Sequence, residues 1–382
     1  MIIEIRKAGF VNKGAELMLY AVLDRMKSRY ADAKFCIVPS SSAPFKKRVE
    51  LGLYQKVSLR RKGIEFGAIA KFIPKKIRDR YGLVLDHEVD IVIDAAGFSY
   101  SDQWGSGSLF ELAYSAKKWK RHGTKVILVP QAFGPFEKRL NQFNIKKAVS
   151  NIDLLFAREQ ISYDYLIEAV GTRDNIMMAP DFTNLLEGVV PEYFNSIENR
   201  FCVVPNYRMI DKTPPKQSDA YLPFMISCVR YLKARNQKPF ILVHEGENDL
   251  ILAQQISDAV GGINIVTEDH PLKIKGILGL CEGTIGSRFH GLVSALSQGI
   301  PSLATGWSHK YKMLFKDYGF EDGLLDVMMS EDQIKEKINL IIDHKSKEAI
   351  KNTLNQKSKS LKKQSEKMWG DVFNVLGKTA SK

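Results

Sequence analysis

The first half of the chain alternates short apolar runs with longer stretches that repeat apolar residues every three or four positions. The longer stretches predict amphipathic helices, and the segment 15–29 is the clearest of them. A short apolar run between helices is typical of a strand buried on both faces, so the pattern predicts a parallel sheet covered by helices on both sides. The predicted strands are 2–6, 34–38, 89–94, 126–130 and 153–157.

The same alternation begins again after the polar segment 191–200. The predicted strands of this second set are 201–205, 240–244, 263–266, 284–286 and 302–305. The fold class is therefore α/β, with two Rossmann-like, doubly wound domains that face each other across a cleft. We place the N-terminal domain at 1–195, on the acceptor side, and the C-terminal domain at 196–345, on the donor side.

The segment 346–382 has a different pattern. Leu354, Leu361, Met368 and Val375 recur every seven residues, and lysines occupy many of the positions between them. This predicts a basic amphipathic helix that packs back across the two domains. A helix that lies on an anionic membrane is the alternative interpretation.

The composition is that of a soluble enzyme, with 45% apolar and 26% charged residues. No apolar run approaches the roughly 18 residues needed to cross a bilayer. Glu4, Arg6 and Lys7 stand where a signal peptide needs apolar residues, so we expect a cytoplasmic protein.

The net charge of +13 is concentrated in two segments. Residues 46–80 hold twelve basic and three acidic residues, and residues 345–382 hold ten and three. Such patches suit a phosphorylated substrate, nucleic acid or an acidic membrane, although two solvated faces are the simpler explanation. We expect peripheral contact with the inner face of the membrane and no nucleic-acid partner, and the oligomeric state stays open.

The strongest local signal is the segment 283–301, which predicts a strand, a tight turn and a helix. Ser287 is placed to cap the helix, and Arg288 and His290 stand at its N-terminus, where free backbone N–H groups and the helix dipole favour a phosphate or carboxylate. Residues two positions apart on a helix point about 200° apart, so both side chains reach one ligand only if Arg288 belongs to the turn. The alternative is that Arg288 pairs with a carboxylate and His290 is structural.

Other polar residues follow predicted strands and should therefore lie at the same kind of sheet edge, where open α/β sheets bind ligands. Lys310 follows the strand after Arg288 and begins a helix, which brings a second cation to that edge. In the N-terminal domain the corresponding residues are Asn12, Gly14, Glu16, Asp94, Tyr100, Asp102 and Arg158. Trp104 and Trp307 are candidates for stacking on a sugar.

The chain resembles the polysaccharide pyruvyl transferase family over roughly residues 1–318. The distinctive mark is Ser-Arg-Phe-His-Gly at 287–291, followed by Gly-Ile-Pro at 299–301 and by Lys310. Weaker marks are Asn-Lys-Gly-Ala-Glu at 12–16, Gly-Pro-Phe at 134–136, Ala-Arg-Glu-x-x-Ser at 157–162 and Ala-Pro-Asp at 179–181. One departure is Ala15 after Gly14, where many members have aspartate.

The resemblance implies a glycosyltransferase-B-like fold and phosphoenolpyruvate as donor, bound by Arg158, Arg288, His290 and Lys310. The enolpyruvyl group would pass to a sugar of a bacterial surface polysaccharide or its lipid-linked precursor, forming a pyruvate ketal and releasing phosphate. We expect Arg288 and Lys310 to neutralise the departing phosphate, with Ser287 beside them. His290 is expected to act as phosphate donor or as the acid.

The base on the sugar hydroxyl is sought among Asp94, Asp102 and Glu16, with Asp94 as our choice. Asn12, Gly14 and Tyr100 complete the expected acceptor side. No cofactor and no metal site are predicted. One alternative is a glycosyltransferase or epimerase that uses a nucleotide-sugar. The other is a non-catalytic protein that binds nucleic acid or an anionic membrane through its basic patches.

Overall fold

The structure is a computed structural model that describes residues 1–58, 60–61, 64–65, 67–306 and 308–377. Side chains are described for 1–58, 70–306 and 308–377. The contacts divide the chain into two compact units. The N-terminal unit contains Met1–Phe182 and the segment from Gln364 onward, and the C-terminal unit contains Thr183–Lys363. The domain limits drawn from the sequence stay a prediction.

The N-terminal unit is built on an eight-stranded sheet in the order β10-β9-β8-β7-β1-β2-β3-β6, and all its neighbouring strands are parallel. A two-residue antiparallel pair, β4 and β5, lies outside this sheet. The strands are β1 (Ile2–Arg6), β2 (Lys34–Ile37), β3 (Tyr54–Lys56), β4 (Arg60–Arg61), β5 (Ile64–Glu65), β6 (Leu83–Val84), β7 (Ile91–Asp94), β8 (Lys125–Gln131), β9 (Leu154–Ala157) and β10 (Ile176–Met178).

The helices of this unit connect the strands, as a parallel sheet requires. They are α1 (Lys13–Arg29), α2 (Phe45–Glu50), α3 (Lys75–Tyr81), α4 (Gly107–His122), α5 (Arg139–Val149) and α6 (Gln160–Val170). Short 3₁₀ turns lie at Gly67–Phe72, Asp86–Glu88 and Asp102–Trp104. The central strands β1, β7, β8 and β9 are almost wholly buried, which explains why their sequences are mainly apolar, although β1 also buries Glu4 and Arg6.

The C-terminal unit has a five-stranded parallel sheet in the order β13-β12-β11-β14-β15. Its strands are β11 (Phe201–Val204), β12 (Pro239–Val243), β13 (Ile265–Thr267), β14 (Gly283–Gly286) and β15 (Ser302–Ala304). Its helices are α7 (Arg208–Asp211), α8 (Pro215–Ala234), α9 (Gly246–Ala259), α10 (Pro271–Gly279), α11 (Phe289–Leu296), α12 (His309–Asp317) and α13 (Glu331–Ile342), with 3₁₀ turns at Phe182–Leu185 and Glu321–Gly323.

The last helix, α14 (His344–Gly377), begins in the C-terminal unit, and its residues from Gln364 belong to the N-terminal unit. The apolar stripe predicted from the seven-residue repeat is largely buried. Leu354 and Leu361 belong to the core of the C-terminal unit. Met368 is buried in the N-terminal unit, where Trp369 packs edge-on against Phe182. The stripe therefore packs against protein, and a membrane-facing stripe is wrong.

Each unit has a parallel sheet with connecting helices, which confirms the predicted fold class. All ten predicted strands are present within a few residues of their expected ends. The sequence did not predict β3, β6 and β10 of the large sheet. Each has only two or three residues, which is too short to show a recognisable apolar pattern.

Candidate active site

The turn after β14 is held by a buried hydroxyl network. Ser287 is fully buried, and its hydroxyl bonds to the Tyr221 hydroxyl at 2.9 Å and to the Thr305 hydroxyl at 2.7 Å. Its carbonyl accepts hydrogen bonds from the Asn206 amide at 2.6 Å and from the Tyr311 hydroxyl at 2.9 Å. The expectation that Ser287 caps α11 is therefore wrong, because its hydroxyl is engaged by neighbouring elements.

Arg288 itself is the N-cap residue of α11, with extended backbone angles of φ −102° and ψ 116°. Arg288 therefore belongs to the turn and not to the helix. This is the condition under which Arg288 and His290 can reach the same ligand. His290 is the second residue of the helix. The turn and the first turn of α11 thus carry both side chains at the carboxyl edge of the sheet.

The Arg288 guanidinium is held by two carboxylates. Its Nε donates to Asp249 Oδ2 at 2.9 Å and its Nη2 to Asp249 Oδ1 at 2.6 Å, while Nη1 donates to Glu245. Burial opposes the charge on this guanidinium, but Asp249 and Glu245 offset that effect and raise the pKa of Arg288 above its ordinary value. The alternative noted from the sequence, an arginine paired with carboxylates, is thus present in this structure.

An aromatic ring brings His290 and Lys310 together. The Phe289 ring packs edge-on against the His290 ring, with centroids 5.3 Å apart. Lys310, in the first turn of α12, places its ammonium 5.2 Å from the centroid of the same Phe289 ring and 5.5 Å from that of Tyr311. Because β14 and β15 are paired neighbours, the helices that follow them begin side by side. The cationic edge predicted from Arg288, His290 and Lys310 is therefore a single place in the C-terminal unit.

Two residues of this edge were not predicted. His244 and Glu245 follow β12 directly, and Glu245 contacts Arg288. A methyl group at Gly291 would lie 3.4 Å from His244 Cδ2, an ordinary van der Waals distance, so α11 lies beside this histidine. The rule that placed the other candidates at strand ends applies equally to 244 and 245 and would have found them.

Arg158 follows β9 in the N-terminal unit, where its Nη1 lies 3.2 Å from Asp181 Oδ2. Both side chains are buried. Glu159 caps α6 by accepting hydrogen bonds from the N–H groups of Ile161 at 2.7 Å and Ser162 at 3.0 Å. The Ala-Arg-Glu-x-x-Ser and Ala-Pro-Asp segments are therefore joined by an ion pair, and their glutamate and serine are explained by the local fold.

Asp94 ends β7 and is completely buried. Its Oδ2 accepts a hydrogen bond from the Tyr100 hydroxyl at 2.7 Å, and Tyr100 is equally buried. Burial raises the pKa of Asp94, although Arg6 and the Tyr100 hydroxyl oppose the shift. The carboxylate therefore lies beneath the surface in this structure, and its role as a base stays a prediction.

The remaining predicted acceptor residues make contacts that stabilise their own loops. Asn12 caps α1 by accepting a hydrogen bond from the Ala15 N–H at 2.9 Å, and Glu16 is buried beside Lys13 at 3.1 Å. Gly14 is buried in the first turn of the same helix.

Asp102 accepts hydrogen bonds from the N–H groups of Glu137 at 2.6 Å and Lys138 at 2.9 Å, and from the Asn141 amide at 2.5 Å. Burial by itself raises the pKa of Asp102, but these hydrogen bonds outweigh that effect and hold the pKa below its ordinary value. Trp104 packs edge-on against Phe98, and Trp307 lies outside the described residues. No group of three or more metal-ligating side chains gathers in the described part of the chain.

A family comparison identifies the chain. The sequence profile of the polysaccharide pyruvyl transferase family matches residues 12–309, which is more than half of the molecule. The chain belongs to this family. The resemblance read from the short motifs is confirmed, and so is the expectation of an enzyme of this type.

Solved structures support the fold of this pyruvyl transferase family member. Anabaena HepE in complex with UDP and glucose matches with a TM-score of 0.58 and 14% identity, covering 99% of each chain. The UDP-GlcNAc 2-epimerase from Neisseria meningitidis bound to UDP-GlcNAc matches with a TM-score of 0.60 and 10% identity, covering 99% of this chain and 100% of the other. S. aureus MnaA with UDP matches with a TM-score of 0.63 and 12% identity, covering 100% and 98%. These similarities confirm a glycosyltransferase-B-like fold.

Within the pyruvyl transferase motif, Ser-Arg-Phe-His-Gly, the structure shows separate positions or contacts for Ser287, Arg288, Phe289 and Gly291. Ser287 fixes the turn, Arg288 stands outside the helix, Phe289 contacts both His290 and Lys310, and Gly291 lies beside His244. The motif thus forms the connection between β14 and α11 at the carboxyl edge of the C-terminal sheet.

Proposed function

We propose that this family member transfers the enolpyruvyl group of phosphoenolpyruvate to a sugar of a surface polysaccharide or its lipid-linked precursor. The observation that carries the proposal is that His290 and Lys310 both contact the Phe289 ring, directly after Arg288, at the starts of two neighbouring helices. Phosphoenolpyruvate carries a phosphate and a carboxylate on three carbons, and helix N-termini with nearby cations favour such anions.

In the proposed reaction, His290 delivers a proton to the methylene carbon of the donor. A sugar hydroxyl attacks the adjacent carbon, the bond from that carbon to the phosphate oxygen breaks, and a second hydroxyl closes the ketal. The two hydroxyl protons balance the proton gained by the methyl group and the one taken by the released phosphate. Lys310 and Arg288 stabilise the negative charge that develops on this phosphate.

Because Glu245 contacts the outer edge of Arg288, we propose that the donor displaces this carboxylate while Asp249 keeps the guanidinium in place. Asp249 is completely buried and grips two nitrogens of Arg288, whereas Glu245 is partly exposed and contacts one. The donor therefore meets a positioned arginine whose outer nitrogen has an exchangeable partner.

Calorimetric titration of the full chain with phosphoenolpyruvate tests the donor, with UDP as the comparison ligand. We expect phosphoenolpyruvate to bind, and Lys310→Met to weaken binding roughly tenfold to a hundredfold, since a hydrogen bond to a charged group contributes about 1.5–3 kcal/mol. Lys312→Met is the matched control, because Lys312 is an exposed lysine on the same helix. Binding of UDP alone would support the nucleotide-sugar alternative, and equal losses in both variants would refute the role of Lys310.

We also propose peripheral contact with an anionic membrane through α2 and α3. Phe45, Val49 and Tyr81 are exposed and line one groove, and Ile77 lies one turn from Tyr81 on α3. Exposed basic residues lie on the same two helices at Lys46, Lys75, Lys76 and Arg80, and Lys71 lies in the 3₁₀ turn before α3. Exposed apolar side chains accompanied by basic residues are typical of proteins that bind peripherally to membranes. None of the described helices is long and apolar enough to cross a bilayer.

Sedimentation with phosphatidylcholine vesicles, with and without phosphatidylglycerol, tests this surface. We expect binding only to the anionic vesicles and a roughly tenfold loss in Phe45→Ser, because a buried aromatic contributes about 1.5–3 kcal/mol. Phe143→Ser is the control. Phe45 is 67% exposed and lies 5.8 Å from the Arg48 guanidinium, and Phe143 is 60% exposed and lies 5.9 Å from the Lys147 ammonium. Equal binding to both vesicle types, or equal losses in both variants, would overturn the proposal.

A further inference from the structure

The loop after β11 lies at the same sheet edge as Arg288. β11 is the central strand of the five-stranded sheet, and its residue Val204 is paired with Gly286 of β14. Asn206 and Arg288 therefore stand two residues beyond paired positions of neighbouring parallel strands. Asn206 is only 2% exposed, so its polar side chain must find its hydrogen-bond partners within the protein.

The Asn206 side chain joins this loop to the turn after β14. Its Oδ1 accepts a hydrogen bond from the Arg208 N–H at 2.9 Å, and its Nδ2 donates one to the Ser287 carbonyl at 2.6 Å. Exchanging the amide oxygen and nitrogen would place an oxygen against a carbonyl and an NH₂ group against an N–H group, so only the present orientation satisfies both partners. The backbone N–H of Asn206 donates to the Tyr221 hydroxyl at 2.9 Å, which anchors the loop to α8.

The hydrogen bond from Asn206 fixes the peptide group between Ser287 and Arg288. The Ser287 carbonyl accepts a second hydrogen bond from the Tyr311 hydroxyl at 2.9 Å, and both donor side chains are buried. This peptide is trans, so its carbonyl and the Arg288 N–H point in opposite directions. Because the carbonyl is turned towards two buried donors, the Arg288 N–H is turned away from them. Rotation of the peptide would leave both donors without this acceptor, which is unfavourable in a buried place.

The same loop also holds the carboxylate that grips Arg288. The Tyr207 N–H donates to Asp249 Oδ1 at 2.9 Å, and Asp249 accepts hydrogen bonds from Nε and Nη2 of Arg288. The loop therefore acts on Arg288 by two routes, through the Ser287 carbonyl for its backbone and through Asp249 for its guanidinium. A shift of the turn relative to this loop would disturb both.

We propose that Asn206 is a positioning residue for phosphoenolpyruvate, which turns the backbone N–H and the guanidinium of Arg288 towards the bound anion. The inference deepens the proposed function and rests on it. An anion at a helix N-terminus is bound by backbone N–H groups as well as by side chains, and Arg288, the N-cap residue of α11, offers both. Asn206 acts through the Ser287 carbonyl and does not itself contact phosphoenolpyruvate.

Asn206→Asp isolates the one hydrogen bond on which this inference depends. Aspartate has the shape of asparagine and still accepts from the Arg208 N–H, but its ionised carboxylate cannot donate to the Ser287 carbonyl. The protonated acid can donate. Burial raises the pKa of a carboxyl group at this position above its ordinary value, so the hydrogen bond is present at low pH and is lost as the pH rises.

Calorimetric titration of the full chain with phosphoenolpyruvate between pH 5 and pH 8.5 tests the inference. We express the Kd of each variant relative to that of the parent at the same pH. For Asn206→Asp we expect a ratio near one at pH 5 and roughly threefold to tenfold weaker binding at pH 8.5, the effect of one neutral hydrogen bond. Asn206→Leu, which has a similar shape and cannot donate at any pH, should bind more weakly throughout.

The ratio removes the titration of the ligand and of the groups that parent and variant share. The charged and titratable side chains that surround this loop are Arg208, Asp211, Tyr221, Asp249, Arg288 and Tyr311. Asn199→Asp is the matched control. Asn199 is 5% exposed in the same unit, its Nδ2 donates to the Asn195 carbonyl at 2.9 Å, and its Oδ1 accepts from Asn264. A ratio that does not rise with pH in Asn206→Asp, or that rises equally in Asn199→Asp, would overturn the inference.

Hydrogen exchange of the segment 283–296, followed by mass spectrometry at pH 7, gives a second measurement that needs no ligand. We expect faster exchange in Asn206→Leu than in the parent and no change in this segment in Asn199→Leu, since only Asn206 holds the turn. Unchanged exchange in Asn206→Leu would refute the positioning of the turn. A parent that does not bind phosphoenolpyruvate would refute the proposed function, whereas faster exchange in Asn206→Leu would still uphold the hold of Asn206 on Arg288.

Discussion

Asp249 is the residue whose loss should disturb the C-terminal unit most clearly. It is completely buried, accepts hydrogen bonds from two nitrogens of Arg288 and accepts a third from the Tyr207 N–H at 2.9 Å. Asp249→Ala would leave a largely buried guanidinium with Glu245 as its remaining carboxylate partner among the described residues. Breaking a buried ion pair in this way costs about 3–5 kcal/mol.

The melting temperature gives a convenient measure of this cost. For a domain of 150–250 residues, each kcal/mol shifts the melting temperature by roughly 2–4 °C, so Asp249→Ala should lower it by about 6–20 °C. Urea unfolding of Asp249→Ala, Arg288→Ala and the double variant forms a double-mutant cycle. We expect the double variant to lose at least about 2 kcal/mol less than the two single losses combined, since it leaves neither charge unpaired. Additive losses would refute the reasoning, because they would mean that Asp249 and Arg288 do not stabilise each other.

Two further predictions concern packing and pH. A methyl group at Gly276 would lie 2.2 Å from the Val189 carbonyl oxygen, whereas a methyl group at Gly291 would lie 3.4 Å from its nearest neighbour. Urea unfolding should therefore show that Gly276→Ala lowers the unfolding free energy by at least about 2 kcal/mol. The change in Gly291→Ala should be less than about 1 kcal/mol. Burial opposes the charge on Asp86, but Lys56 and Lys118 hold its pKa below the ordinary value, so its contribution to stability is complete above about pH 4 and is lost as the pH falls further. The difference in unfolding free energy between Asp86→Asn and the parent should therefore be largest at pH 7 and should shrink at pH 3.5; a constant difference would contradict the assigned ion pairs.

The sequence predicted those parts of the fold whose pattern is local. Most of the predicted strands are short, mainly apolar runs because both faces of a parallel strand are buried, and this signal needs no knowledge of neighbouring strands. The strands β3 and β6, the last two at one side of the sheet, are too short to carry it. The seven-residue repeat of α14 indicated a helix, and burial of Leu354 and Leu361 shows which side of it is covered.

The candidate site was predictable only where it depends on local sequence, as the strands were. Residues immediately after a strand reach the ligand-binding edge of a parallel sheet, so position along the chain was enough to find Arg288 and Lys310. Their partners were not predictable in this way. Asp249 lies in the first turn of α9, and nothing in its spacing from Arg288 indicates that the two meet. An ion pair between distant segments depends on how the helices pack.

This difference explains why the arginine of the family motif needs a partner outside the motif. An arginine at a helix N-terminus adds a positive charge where the helix dipole is already positive, which is unfavourable by itself. The buried carboxylate of Asp249 offsets that cost and fixes the guanidinium through two nitrogens. The same grip prevents the side chain from moving towards solvent, so an anion must come to the arginine. On this reasoning Asp249 is a positioning residue. Folded Asp249→Asn should bind phosphoenolpyruvate more weakly than the parent in the titration that tests Lys310. Glu245→Gln should bind it more tightly, because the carboxylate that the donor must displace is gone. Tighter binding in Asp249→Asn and weaker binding in Glu245→Gln would contradict the roles assigned to the two carboxylates.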